Sequence, residues 1–331
     1  RGGAGFPTGL KWELASKSPG EKFVICNADE GEVGTFKDKF IIQGDPFEVI
    51  EGIAIAGYAI GAKKGYIYLG KDYQSLRDLM QEAIEKAGEF WKNDFQFDIE
   101  LRQGVSSYMY GEELALTELM EGRRGVARSQ LPFPQEQGLG EKPIAANKVE
   151  TLANIPHIVF NGSEWFSQIG TEQNKGTKVF SVSGDVEKPG VYELKMGTPL
   201  RELVEGLAQA TDIKVVQVGG AIGRLVPSGN LDTPLAFETV LGAGNITVFN
   251  SNRNIVEIVW ENMKVLAENS CGRCLPGRIG IRIMGNTLER IYQGQAAERE
   301  LTIMGELAEV MKAASLCGLG QSVPTSLLDS L

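Results

Sequence analysis

Three cysteines gather in the last quarter of the chain. Cys271 and Cys274 form a C-x-x-C step in "CGRCLPGRIG", and Cys317 follows in "SLCGLG". Close thiolates on one loop joined by a remote thiolate from another element can hold an iron–sulfur cluster. The same residues also suit a redox-active dithiol or an incomplete zinc site, so the cysteines alone leave three chemistries open. A repeat of the C-x-x-C step would require a cysteine at 277, where the chain has Gly277.

A second candidate site lies at the other end. "RGGAGFPTGLKWE" (1–13) packs four glycines into nine residues, Gly2 and Gly3 among them. Glycines let backbone N–H groups curl around phosphate oxygens, and the alternative is a flexible loop. Lys11 offers a cation and Phe6 a face for a ring. The loop differs from the dinucleotide fingerprint, which needs G-x-G-x-x-G directly after a strand.

Acids follow. "NADEGEVG" (27–34) sets Asp29, Glu30 and Glu32 at a strand's end, where parallel sheets receive ribose hydroxyls or where a solvated acidic turn forms. In "YMYGEELALTELMEG" (108–122), Gly111 precedes Glu112 and Glu113 at a helix start. Acids there suit the helix dipole; buried against a flavin, such a carboxylate would orient a nicotinamide or tune the ring. His157, the only histidine, lies between apolar residues and reads as structural, so a hydrolytic triad has no support. Cys26 ends an apolar strand and reads as a packed small residue.

The elements that must position these groups alternate over the first ~150 residues. Strand patterns at 22–30, 64–70 and 95–104 interleave with helical patterns at 45–62, 75–91 and 111–125. This order predicts a doubly wound α/β domain. From 126 to about 170, Pro, Gln and Gly predict an irregular connection. "KVFSVSGDVEKPGVYELKMGTPLRELVEGL" (178–207) predicts two strands around a Pro-Gly turn, then a helix. With "IKVVQVGG" and "NITVFNS" it makes a small α+β unit, and helices fill the tail from Ile255.

A chain of 331 residues with net charge −10 and no dense Lys/Arg block excludes nucleic acid or an anionic membrane surface as a natural partner. Four cysteines are too few for a secreted disulfide scaffold and point to a reducing compartment. The apolar run 49–62 is short and carries Glu51, so it predicts a buried helix and no bilayer span. A start at Arg1, within a Gly-rich loop, predicts a fragment of a longer cytoplasmic polypeptide.

Taken together and in order, the stretches "RGGAGFPTGLKW", "CNADEGEVGTFKD", "GEELALTELMEGRRG", "PFPQEQGLGEKP", "NKVETLANIPHI", "GDVEKPGVYE", "LDTPLAFE", "SCGRCLPGR" and "CGLGQSVP" resemble one family. It is the family of flavin- and NADH-binding (51-kDa-type) subunits of respiratory complex I, with the diaphorase subunits of NAD-reducing hydrogenases and NAD-dependent formate dehydrogenases. "CGLGQSVP" looks closer to the hydrogenase and formate-dehydrogenase relatives. The resemblance spans essentially the whole chain. It implies an FMN- and NADH-binding α/β domain (1–170), a small ubiquitin-like SLBB domain (171–252) and a helical iron–sulfur domain (253–331).

The implied activity is NADH:acceptor oxidoreduction, with hydride passing from NADH to FMN and single electrons then going to a [4Fe–4S] cluster. Implied partners are NADH, a small thioredoxin-like [2Fe–2S] subunit and a larger iron–sulfur subunit. The implied location is the cytoplasm or a matrix-like reducing compartment. By the same resemblance, Gly2, Gly3 and Lys11 belong to the flavin loop, and Asn27 and Asp29 to the ribityl–ring region. Tyr108, Gly111, Glu112 and Glu113 complete the pocket beside Glu30, with Glu113 as the catalytic carboxylate. Phe6 and Phe133 sandwich adenine, Glu32 takes its ribose, and Asn147 meets the FMN phosphate. Lys148 stands where the family has a second asparagine, and would add charge at that phosphate or point away. Cys271, Cys274 and Cys317 match three of four cluster ligands, and Gly277 leaves the fourth in doubt. Two alternatives stand beside this: a flavoprotein NADH dehydrogenase with a lost or modified cluster, and a non-catalytic assembly subunit.

Overall fold

The structure is a computed structural model that describes residues 2, 5–91, 95–128 and 132–330. Four parallel strands form the first sheet: β1 (Phe23–Ala28), β2 (Lys64–Gly70), β3 (Asp98–Gly104) and β4 (Ile144–Lys148), in the order β3-β2-β1-β4. Every residue of β1 is buried, as expected for a central strand covered on both faces. Its alternate residues divide two cores. Val24, Cys26 and Ala28 pack into the larger one, and Phe23 and Ile25 into the smaller one on the opposite face.

The first-domain helices are α1 (Thr8–Lys17), α2 (Lys37–Gly44), α3 (Pro46–Ile60), α4 (Arg77–Trp91), α5 (Glu113–Met120), α6 (Val149–Asn161) and α7 (Ser163–Ser167). The larger core takes its cover from α3, α4 and α6, and the smaller one from α5. Local signals set the helix ends. Asp45 caps α3 by accepting from the N–H groups of Phe47 (2.9 Å) and Glu48 (3.3 Å), Pro46 opens it, and Gly61 closes it at φ 76°. Gly122 at φ 76° stops the chain just after α5, which is therefore shorter than the expected 111–125.

The segment 126–170 departs most from expectation, because it contains β4, α6 and α7 rather than an irregular connection. Two features hid them. β4 is five residues long and runs straight into α6, and Pro156 sits inside α6. Pro156 lacks an N–H, so it leaves the carbonyl of Leu152 without its usual partner four residues on. Gly52 of α3 packs against that oxygen, where a Cβ would lie 2.1 Å away. The proline is tolerated where the helices meet backbone to backbone.

The second sheet is mixed: β5 (Thr177–Gly184), β6 (Gly190–Lys195), β7 (Ile213–Val218), β8 (Arg224–Pro227) and β9 (Asn245–Asn250), in the order β6-β5-β9-β7-β8. Phe180, Val182, Val216 and Val248 pack there with Leu203 and Val204 of the helical turn Glu202–Leu207. The tail is helical: α8 (Ile255–Asn269), α9 (Ile281–Tyr292), α10 (Glu298–Ala314), α11 (Gly318–Ser322) and α12 (Thr325–Ser330). Its core takes in Met109 and Ala115 from the first unit and Val215 and Leu225 from the second. The expected α/β class, with a small α+β unit and helical tail, holds. No helix among the described residues is long and apolar enough to cross a membrane.

Candidate functional site

In a sheet of order β3-β2-β1-β4, the chain leaves β1 toward one edge and returns on its other side. The crevice at the carboxyl ends of β1 and β4 is therefore the topological switch point, where open α/β sheets bind ligands. Register brings Cys26 beside Asn147 and Asn27 beside Lys148. Lys148 Nζ bridges the crevice by donating to the carbonyl of Asp29 at 2.6 Å.

Asn27 and Asn147 act behind this surface. Asn27 donates from Nδ2 to the Tyr110 carbonyl (2.8 Å) and accepts from the Asp29 N–H (3.1 Å). Asn147 Oδ1 accepts from the indole of Trp12 at 2.9 Å, which fixes α1 against β4. Lys11, one residue earlier on α1, is buried, donates to the Ala146 carbonyl (2.8 Å) and pairs with Glu113. Glu112 caps α5, accepting from the N–H groups of Leu114 (3.2 Å) and Ala115 (2.7 Å), so adjacent acids divide between cap and ion pair.

A cavity of ≈ 760 Å³ opens over the crevice. Gly2, Phe6, Lys11, Asp29, Glu30, Glu32, Tyr108, Gly111, Glu112, Glu113, Phe133 and Lys148 all line it. Asn27 and Asn147 do not, and Gly3 lies outside the described residues. Sequence reasoning missed the opposite walls. The loops of the second sheet contribute Gly219, Ile222, Phe237 and Leu241, and the helical tail contributes Gly318 and Leu319. Lys37, Glu150 and Lys178 also line the cavity and were not singled out. Only a lysine inside an otherwise apolar strand, Lys178 in "KVFSV", could have drawn attention to that group.

Burial dominates the electrostatics. It lifts the Glu32 carboxyl to about 7, with Lys148 and Lys37 opposing. It also raises Asp29, against Ser106, Lys148 and the Ser107 N–H. Burial and Asp38 raise Glu30, while Lys37 opposes. Burial raises Glu112 too, against its capping N–H groups. Glu150 behaves oppositely: burial would raise it, but Lys178 and Lys37 hold it at about 2.

Enclosed oxygens of Glu30, Glu32, Thr35 and Asp38 on this wall have no hydrogen-bond partner among the described residues. Buried acceptors without donors are costly, and ligand hydroxyls would satisfy them. Lys148, whose Nζ bonds a backbone carbonyl and meets no carboxylate among the described residues, supplies a cation for a phosphate on the same lining, while Lys11, Lys37 and Lys178 are held in ion pairs. The lining therefore fits a nucleotide, whose hydroxyls donate and whose phosphates are anionic.

The cysteines lie beyond one wall of the cavity. Cys317 precedes Gly318 and Leu319; burial raises its thiol, and the N–H groups of Gly320 and Leu319 donate toward its sulfur. Cys271 and Cys274 sit half-buried on the loop between α8 and α9, close enough for their charge to act on Cys317. Gly272 takes φ 68° there, a conformation that favours glycine. No three His, Cys, Asp or Glu side chains among the described residues converge to hold one metal ion. N–H donation to sulfur and thiols from two elements suit a cluster, whose ligands surround several irons.

Comparison with known proteins places these features in context. Residues 1–157 match the Nuo51 FMN-binding domain, 179–225 an SLBB domain, and 257–331 the NADH-ubiquinone oxidoreductase-F iron–sulfur binding region. The chain is 42% identical over 332 residues to an NADH-quinone oxidoreductase subunit of Aquifex aeolicus, covering 97% of this chain and 78% of that one. It is 38% identical to the NADP-reducing hydrogenase subunit HndC of Solidesulfovibrio fructosivorans, over 100% and 71%. It is 39% identical to the NAD-reducing hydrogenase HoxS subunit alpha of Cupriavidus necator, over 100% and 56%. A crystal structure of an NAD+-reducing [NiFe]-hydrogenase in the H2-reduced state superposes with TM-score 0.95 at 38% identity, covering 99% of this chain and 58% of that chain. The chain thus spans little more than half the length of those two NAD-reducing hydrogenase chains.

Proposed function

The chain belongs to the family of FMN-binding subunits of NADH-quinone oxidoreductases and their hydrogenase relatives, and on that premise we propose that it is the NADH-oxidising subunit of a larger redox complex. The observation that carries this is the shared lining of one cavity. It includes Lys11, Glu113, Asp29 and Lys148 at the switch point and Gly318 and Leu319 next to Cys317. The chemistry that FMN supplies when bound is acceptance of a hydride from NADH as an electron pair and release of the electrons singly to the cluster.

The chain's own groups bind, orient and exclude water. Gly2, Gly3 and Lys11 hold the flavin end of the loop, and Asp29 and Glu30 accept from hydroxyls. Asn27 and Asn147 position their neighbours from behind, and Lys148 brings a cation to the phosphate side. Tyr108, Gly111 and Glu112 shape the inner wall. Glu113, held by Lys11, orients the nicotinamide as the catalytic carboxylate. Phe6 and Phe133 are the aromatic faces for adenine, and Glu32 accepts from its ribose. Cys271, Cys274 and Cys317 hold the cluster. We assign these roles to units spanning 1–170, 171–252 and 253–331. The proposed neighbours are a small thioredoxin-like [2Fe–2S] subunit and a larger iron–sulfur subunit, in the cytoplasm or a matrix-like compartment. Purified chain loaded with FMN tests the reading: NADH should bleach the flavin absorbance under anaerobic conditions. Retained flavin that NADH leaves unbleached would contradict it.

A further inference from the structure

The matched iron–sulfur region contains three cysteines, whereas a [4Fe–4S] cluster is ordinarily held by four. The chain's remaining cysteine, Cys26, is enclosed in β1 within the first core, so it is not the missing ligand.

Position 277 is closely packed in the fold. Gly277 is buried, and a Cβ there would lie 3.1 Å from Cys274 Sγ. Gly320 packs against the same position: a Cβ there would lie 4.0 Å from Gly277 Cα and 2.8 Å from Ser315 Oγ. Ser315 is 6% exposed, and its hydroxyl has no hydrogen-bond partner among the described residues. The other nearby hydroxyl, Ser270, already donates to the Gly277 carbonyl at 3.2 Å. An enclosed hydroxyl without a partner, near a loop position that supplies no thiolate, calls for a polar partner.

We propose that the ligand position left without a thiolate at Gly277 is open to exchange. The iron left without a protein thiolate takes a small exogenous anion, thiolate or hydroxide, and the Ser315 hydroxyl donates a hydrogen bond to that ligand. This rests on the reading that the region holds a [4Fe–4S] cluster. Exchange involves no oxidation: an iron–thiolate bond forms as hydroxide leaves, and the thiol's proton joins the hydroxide as water.

The test uses the chain reconstituted with ferrous iron and sulfide, with iron and acid-labile sulfide counted. The reduced cluster's EPR spectrum is followed during titration with 2-mercaptoethanol. The thiol should shift the spectrum saturably, and mild ferricyanide should release one iron per cluster. Gly277→Cys should remove both responses, and Ser315→Ala should weaken thiol binding roughly threefold to tenfold. Wild-type protein that holds all its iron against ferricyanide and ignores the thiol would overturn the proposal without needing either variant. Wild-type protein without iron or sulfide, with NADH still bleaching its flavin, would instead refute the cluster reading itself.

Discussion

Arg124 Nη2 donates to the carbonyl oxygen of Cys271 at 3.0 Å, linking the chain just beyond α5 to the loop that carries two of the three clustered cysteines. Two residues before Cys271, Asn269 Oδ1 accepts from Ser107 Oγ (3.0 Å) and the Tyr108 N–H (3.1 Å). The cysteine loop is therefore fastened to the segments on either side of the Gly111–Glu113 turn. These bonds set the spacing between nucleotide cavity and cluster.

Replacing those ties should separate two behaviours. Arg124 is exposed, so Arg124→Ala should cost only about 0.5–1 kcal/mol in stability. Asn269→Ala removes those two bonds and the Nδ2 bond to the Val265 carbonyl (2.9 Å), and should cost about 1–3 kcal/mol. Both variants should keep NADH bleaching of the flavin near the parent rate and lose iron faster on warming. Paired thermal-release and stopped-flow measurements check this.

Glu113 and Lys11 form the ion pair at the cavity's inner wall. Glu113→Gln keeps the shape and removes the charge. Flavin content should stay unchanged while NADH-dependent bleaching slows roughly tenfold to a hundredfold, a loss of about 1.4–2.7 kcal/mol in barrier terms. Unchanged bleaching would make Glu113 a structural partner of Lys11 only.

The raised Glu32 carboxyl predicts a pH dependence. Its folded value of about 7 lies above the ordinary 4.5, so the folded chain holds a proton that the unfolded chain has released. That stabilisation is complete below about 4.5 and is lost as pH rises to 7. Chain free of nucleotide should thus weaken over this window, by up to roughly 3 kcal/mol from this group. Asp29, Glu30 and Glu112 are raised as well and act in the same direction. Glu32→Gln should flatten the slope in denaturant titrations across that range.

Glu150 of α6 meets Lys178 of β5 and Lys37 of α2 at full burial, joining the first and second units. Glu150→Ala leaves Lys178 enclosed without its carboxylate, while Lys37 keeps Asp38 at 2.6 Å, and should destabilise the chain by about 3–5 kcal/mol. Glu150→Gln with Lys178→Met should recover part of that loss. Calorimetry of the single and double variants measures the difference.

Much of the first sheet was legible because β1 to β3 and their helices carry clean periods and turn signals. β4 and α6 were not, since a five-residue strand abutting a proline-containing helix has no period of its own. Most candidate cavity residues were legible as polar or glycine-rich stretches at element ends. The far walls were not. Phe237, Leu241 and Leu319 meet Asp29 and Glu32 only after three units pack, and nothing in their local sequence marks them. Glu112 shows the reverse case: the plain expectation, an acid capping a helix, is what its hydrogen bonds do.

The most direct test adds NADH anaerobically to chain carrying both FMN and cluster, freezes the sample, and reads the EPR signal of the reduced cluster beside the flavin absorbance. The account predicts that flavin bleaching is accompanied by the cluster signal, and that Glu113→Gln delays both. Flavin that bleaches fully while the cluster stays oxidised would contradict it.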